Sequence, residues 1–237
     1  MFLFGKDVGR FVVFFIIFVI KIRRMNRFRI LCVLFIGCLA SSACLAQTLG
    51  TMLTSELAEG DLLFCASSQG NRITEVTEGF GGMQIDHVAI VHRKAGHVYA
   101  LEAIYRGVSL TSIDSLLLRR DAVIGARLRD TTGVAQSVQR ALAFLGRPYD
   151  FNFMPDDSAF YCSELVQKCY RYLNRQLVFQ PIPMSFHDKT GMITPYWKDY
   201  YARQGLRVPE GEPGSNPGDL SRNKAVMILG TLQRPKD

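Results

Sequence analysis

Hydrophobic and polar positions change rhythm once along this chain. Up to about residue 130 the apolar residues come in short blocks, many of them β-branched, which is the pattern of half-buried strands. Gly60-Asp61 ahead of 62–66 (Leu-Leu-Phe-Cys-Ala) predicts a turn and a short buried strand. Residues 67–84, rich in Gly, Ser, Thr and Asn, predict a loop long enough to be functional. Residues 87–93 and 98–104 predict two strands of a hairpin, joined at Ala95-Gly96. A third strand is expected near 107–110, a short helix at 113–118 and another strand at 123–128.

From residue 131 the apolar period becomes helical. Val134, Val138, Ala141, Leu142 and Leu145 share one helical face, with Thr131 or Thr132 as the cap, Gly146 as the stop and Pro148 beyond it. A polar loop around Met154-Pro155-Asp156-Asp157 leads to a second helix expected over 158–173, capped by Asp157 or Ser158. A Gly- and Pro-rich stretch over 208–222 precedes a last strand at 226–229. There is no repeat and no sign of a second core. The expected fold is α+β, an antiparallel sheet packed against a few helices, in a single domain over 47–237.

Charge changes the picture less than its total suggests. The chain of 237 residues carries +7, but residues 1–46 hold seven of the basic side chains and one acidic one, leaving about +1 elsewhere. A basic groove for nucleic acid is not supported. The same leader has two apolar runs, 11–20 and 30–40. The first is shorter than the ~20 residues that span a bilayer. The second follows the basic segment Asn26-Arg27-Phe28-Arg29 and ends in the mostly small residues 41–46. That is the layout of a signal peptide over 25–46, with Met25 as the start and 1–24 as an upstream extension. The protein is therefore expected to be exported to the periplasm or cell envelope. A membrane anchor, or a lipid anchor at Cys38 or Cys44, is the alternative.

Outside the leader three cysteines remain: Cys65, Cys162 and Cys169. An odd number leaves at least one thiol unpaired. Cys162 falls early in its predicted helix, where the helix dipole favours a thiolate; Cys169 lies two turns deeper and reads as packing. A thiol nucleophile needs a base, and His87 opens a strong strand. Glu102, an acid inside the apolar strand 100–104, falls opposite residues 87–89 if the hairpin turns near Ala95-Gly96, so it can orient the imidazole. Core packing of Cys162 and a solvent-facing Glu102 are the plain alternatives. The chain has no CxxC pair and no zincin spacing, so no metal site is expected.

Five segments, in order, resemble one family: Gly60-Asp61-Leu62-Leu63-Phe64; Asp86-His87-Val88-Ala89-Ile90-Val91; Glu102-Ala103-Ile104 with Gly107-Val108; Gly146-Arg147-Pro148-Tyr149-Asp150; and Tyr161-Cys162-Ser163-Glu164-Leu165-Val166. They look like the YiiX/YaeF-type permuted NlpC/P60 cysteine peptidases and amidases, over roughly 55–230. The resemblance implies a circularly permuted papain-like fold in which the histidine precedes the cysteine. It implies Cys162 as nucleophile, His87 as base, Glu102 as the residue orienting it, and Tyr161 as an aid to substrate or oxyanion positioning, with no cofactor. The expected activity is amide hydrolysis through a thioester, with a cell-wall peptide or an N-acyl, lipid-like amide as substrate. A non-catalytic envelope protein binding a peptide or lipid in the same cleft, or an acyltransferase, is the alternative.

Overall fold

In the computed structural model, residues 49–154 and 156–234 are described, and they belong to one compact unit, Thr48–Asp237. The leader, with its signal-peptide and anchor readings, lies outside the described residues. Among the described residues no helix is long and apolar enough to cross a membrane.

The chain runs β1 (Thr51–Met52), β2 (Leu62–Ala66), β3 (Ile85–Lys94), β4 (His97–Ile104), β5 (Gly107–Ser112), α1 (Ile113–Leu118), β6 (Ala122–Leu128), α2 (Val134–Leu142), α3 (Cys162–Cys169), β7 (Ile182–Pro183), α4 (Pro195–Ala202), β8 (Pro213–Gly214), α5 (Pro217–Arg222) and β9 (Val226–Leu232). One sheet has the order β1-β9-β6-β2-β3-β4-β5. It is α+β, as expected, but not wholly antiparallel: β1 runs parallel to β9. The two are far apart in sequence, so no hairpin signal exists between them.

Strand alternation builds two cores on the sheet. Leu62, Phe64, Val88, Ile90 and Leu101 face α2 and α3, which contribute Val138, Ala141, Leu165 and Cys169. Leu63, Ala89, Val91 and Ala100 face the other way, onto Ile113, Leu116 and Leu117 of α1. A third cluster, Met184, Phe186, Trp197 and Tyr201, gathers around α4.

The β3–β4 turn has positive φ at both Ala95 (50°) and Gly96 (81°), the mirror-type turn that matches strand twist, and it pairs Lys94 with His97. The Gly60-Asp61 motif is structural. Gly60 donates to Val91 O at 2.8 Å and accepts from the Tyr170 hydroxyl at 2.8 Å, while the buried Asp61 carboxylate is held by Arg127 at 2.7 Å.

Both helix caps differ from expectation. Asp130 captures Thr132 through its N–H at 2.9 Å and its hydroxyl at 2.5 Å, so Gly133 (φ 80°) caps α2 instead. The second helix begins only at Cys162. Asp156 accepts from Ser158 N–H at 2.7 Å and Asp157 pairs with Lys168 at 2.5 Å, so the two expected caps are already engaged. The helix stops at Cys169 because Tyr170 turns extended.

Gly107 has φ 94°, and a Cβ there would sit 2.4 Å from the Arg147 carbonyl oxygen. Gly107→Ala is expected to cost about 2 kcal/mol or more in urea unfolding, since strain and a backbone clash add. Gly146, at φ 82° with open space around it, serves as the control and should cost about 1 kcal/mol. Equal costs at the two sites would remove the steric argument.

Candidate active site

The β3–β4 ladder ends at the pair Ile90–Leu101. His87 and Glu102 lie past that last pair, His87 held instead opposite Cys65 of β2 and Glu102 opposite Ser109 of β5. Helix α3 packs on β3 and β4, and its first residue is Cys162. Three remote segments therefore deliver one side chain each to the same place.

His87 Nε2 lies 2.7 Å from Glu102 Oε2, with both side chains buried. The Cys162 side chain lies close enough to the ring for its sulfur to act on it. With Nε2 engaged by the carboxylate, Nδ1 is left for the sulfur. Burial alone would push His87 down, but the adjacent Cys162 sulfur and the Glu102 carboxylate outweigh it and hold the ring up, at about 9. Burial would likewise raise Glu102. The His87 hydrogen bond and charge and the Arg119 cation reverse this and hold the carboxyl down, at about 2. Arg119 pairs with the second carboxylate oxygen, Oε1.

The other titratable groups sort themselves out. Asp86, which precedes His87 in the chain, pairs with Arg120 at 3.2 Å. His92 binds Glu59 at 2.9 Å and His187 binds Glu210 at 3.1 Å. Cys65 and Cys169 are free thiols pushed up to about 12 by burial. Cys162 is free and lines a cleft.

That cleft encloses about 570 Å³ including its open mouth. Ile73 and Val76 come from the long loop before β3, and Met184 and Phe186 from the segment after β7. Tyr149, Phe153 and Trp197 complete a wall in which apolar groups predominate. Tyr161 is buried, and its hydroxyl accepts from Ser215 N–H at 3.1 Å. It thus holds in place a stretch whose Ser215, Asn216 and Pro217 also line the cleft. Arg119 escapes a reading of the sequence, because no spacing relates it to Glu102. Among the described residues no three His, Cys, Asp or Glu side chains are grouped so as to hold a metal ion.

No curated protein matches the chain. Among solved structures, the fold is similar to that of YiiX from Escherichia coli O157:H7, a protein described as a metalloprotein, with a TM-score of 0.61, 22% identity, and coverage of 75% of this chain and 98% of that one. Residues 56–224 match the family described as permuted papain-like amidase enzymes, YaeF/YiiX, C92. The chain belongs to this family of cysteine amidases and peptidases, and its sheet-and-helix framework is a permuted papain-like fold.

Proposed function

We propose that the protein is an exported, NlpC/P60-type cysteine hydrolase of the cell envelope, in which Cys162, His87 and Glu102 form the catalytic triad. The observation that carries this reading is the buried line from the Cys162 side chain through His87 to Glu102, at the edge of an open cleft. His87 takes the Cys162 proton, and the sulfur attacks the amide carbonyl carbon. The first N–H groups of a helix have no intrahelical acceptor, so those at the start of α3 can hold the tetrahedral oxyanion. The imidazolium then gives its proton to the departing amine, leaving a thioester on Cys162. His87 next deprotonates a water that attacks the thioester, releasing the acid and restoring the thiol. Tyr161 acts through the wall it supports, positioning the substrate.

For the substrate, we carry forward a cell-wall peptide. The apolar wall around Cys162 favours a second reading, an N-acyl amide whose acyl part is apolar. Incubation with purified wall fragments and with N-acyl amides, followed by mass spectrometry, tests both. A new amine and a new carboxylate from one set identify the substrate class. Retained but uncleaved fragments favour a non-catalytic binder, and acyl groups moved to another acceptor favour a transferase.

A further inference from the structure

The triad uses one carboxylate oxygen of Glu102, Oε2, toward His87. The other oxygen belongs to Arg119, the residue that closes α1. Glu102 is fully buried, whereas the Arg119 side chain is about a third exposed, at 33%. A buried carboxylate with no cation beside it takes up a proton, and a neutral carboxyl no longer stabilises an imidazolium. The remaining titratable groups around Glu102 offer no substitute cation of fixed charge. Cys65 approaches from β2, His87 from β3 and Cys162 from α3, while Arg120 is committed to Asp86.

We propose that Arg119 is a positioning residue of this site: its guanidinium keeps Glu102 ionised and turned so that Oε2 addresses His87. This rests on the triad reading above. Arg119 does not line the cleft beside Cys162, so its removal should act on kcat and leave KM unchanged. Guanidinium geometry matters as well as charge, because a planar fork fixes a carboxylate where an ammonium only attracts it.

The test is the rate of Cys162 alkylation by iodoacetamide between pH 4 and 9 in the full chain, located by peptide mapping. It is run on the wild type, Arg119→Met and Arg119→Lys, with thermal melting to confirm folding and with kcat and KM on whichever amide is turned over. Arg119→Met should slow alkylation about tenfold at pH 6 and move the acid limb of the profile up by about one pH unit or more. Arg119→Lys should move it the same way by less, and KM should hold in both. Superimposable profiles overturn the proposal, as does a uniform slowing that lysine does not relieve, which marks a purely structural role. If the methionine variant does not fold, an unmoved limb in Arg119→Lys is enough to overturn it. If wild-type Cys162 reacts no faster at pH 6 than a free thiol, the triad reading fails instead.

Discussion

Replacing Cys162 by serine is expected to lower kcat/KM by about four orders of magnitude or more, the scale seen when a nucleophile is removed from a catalytic triad. The chemistry depends on the sulfur. His87 is set to accept a proton from a thiol, and a serine hydroxyl at the same place is a far poorer acid. Folding should survive, because the exchange is nearly isosteric at the first residue of α3. Substituting Cys65 or Cys169 by alanine should leave activity within a few fold, provided the variant folds, since burial pushes both thiols up to about 12 and keeps them protonated. Iodoacetamide near pH 6 should accordingly label Cys162 first. Steady-state kinetics and peptide mapping check these points together. Activity retained in Cys162→Ser, or label found first at Cys169, would falsify the assignment of the nucleophile.

His87→Ala should reduce kcat by about 10²–10⁴, the range supplied by a positioned acid–base group. It should also slow Cys162 alkylation near pH 6, because the sulfur loses the cation beside it. A stability signature accompanies the loss. The folded-state value of His87, about 9, lies above its ordinary 6.5. Its contribution to stability is therefore fully present below about pH 6.5 and disappears as pH rises through about 9. The gap in urea stability between wild type and His87→Ala should be widest on the acid side of that window and shrink across it. Glu102 has the opposite sign. Its lowered value means that its contribution is present above about pH 4.5 and is lost as pH falls toward 2. A gap that widens with rising pH would show that the ring is not held as an imidazolium by its neighbours.

Much of the site is legible because its parts obey local rules. The Ala95-Gly96 turn sets a hairpin register that pairs Ile90 with Leu101, and Glu102 follows directly beyond that pair, toward the end of β3 that carries His87. An acid within an apolar strand calls for a partner, which narrows the choices further. The start of α3 is less legible. Asp157 and Ser158 are good caps in isolation, but their neighbours Lys168 and Asp156 claim them, and the helix opens three to four residues later.

By itself, the sequence determined the strands and turns of the β2–β5 region and the helical period after residue 131, since each is set by neighbours a few positions away, and it singled out Cys162, His87 and Glu102 as the candidate site residues. Tertiary structure alone decided the parallel docking of β1 on β9, the capture of Glu102 by Arg119, and the apolar wall of the cleft. The wall is drawn from segments as distant as Ile73, Phe153, Trp197 and Pro217. Contacts of this kind depend on how separate elements pack to bury their apolar faces, and no periodicity or spacing along the chain encodes which remote side chains will then meet.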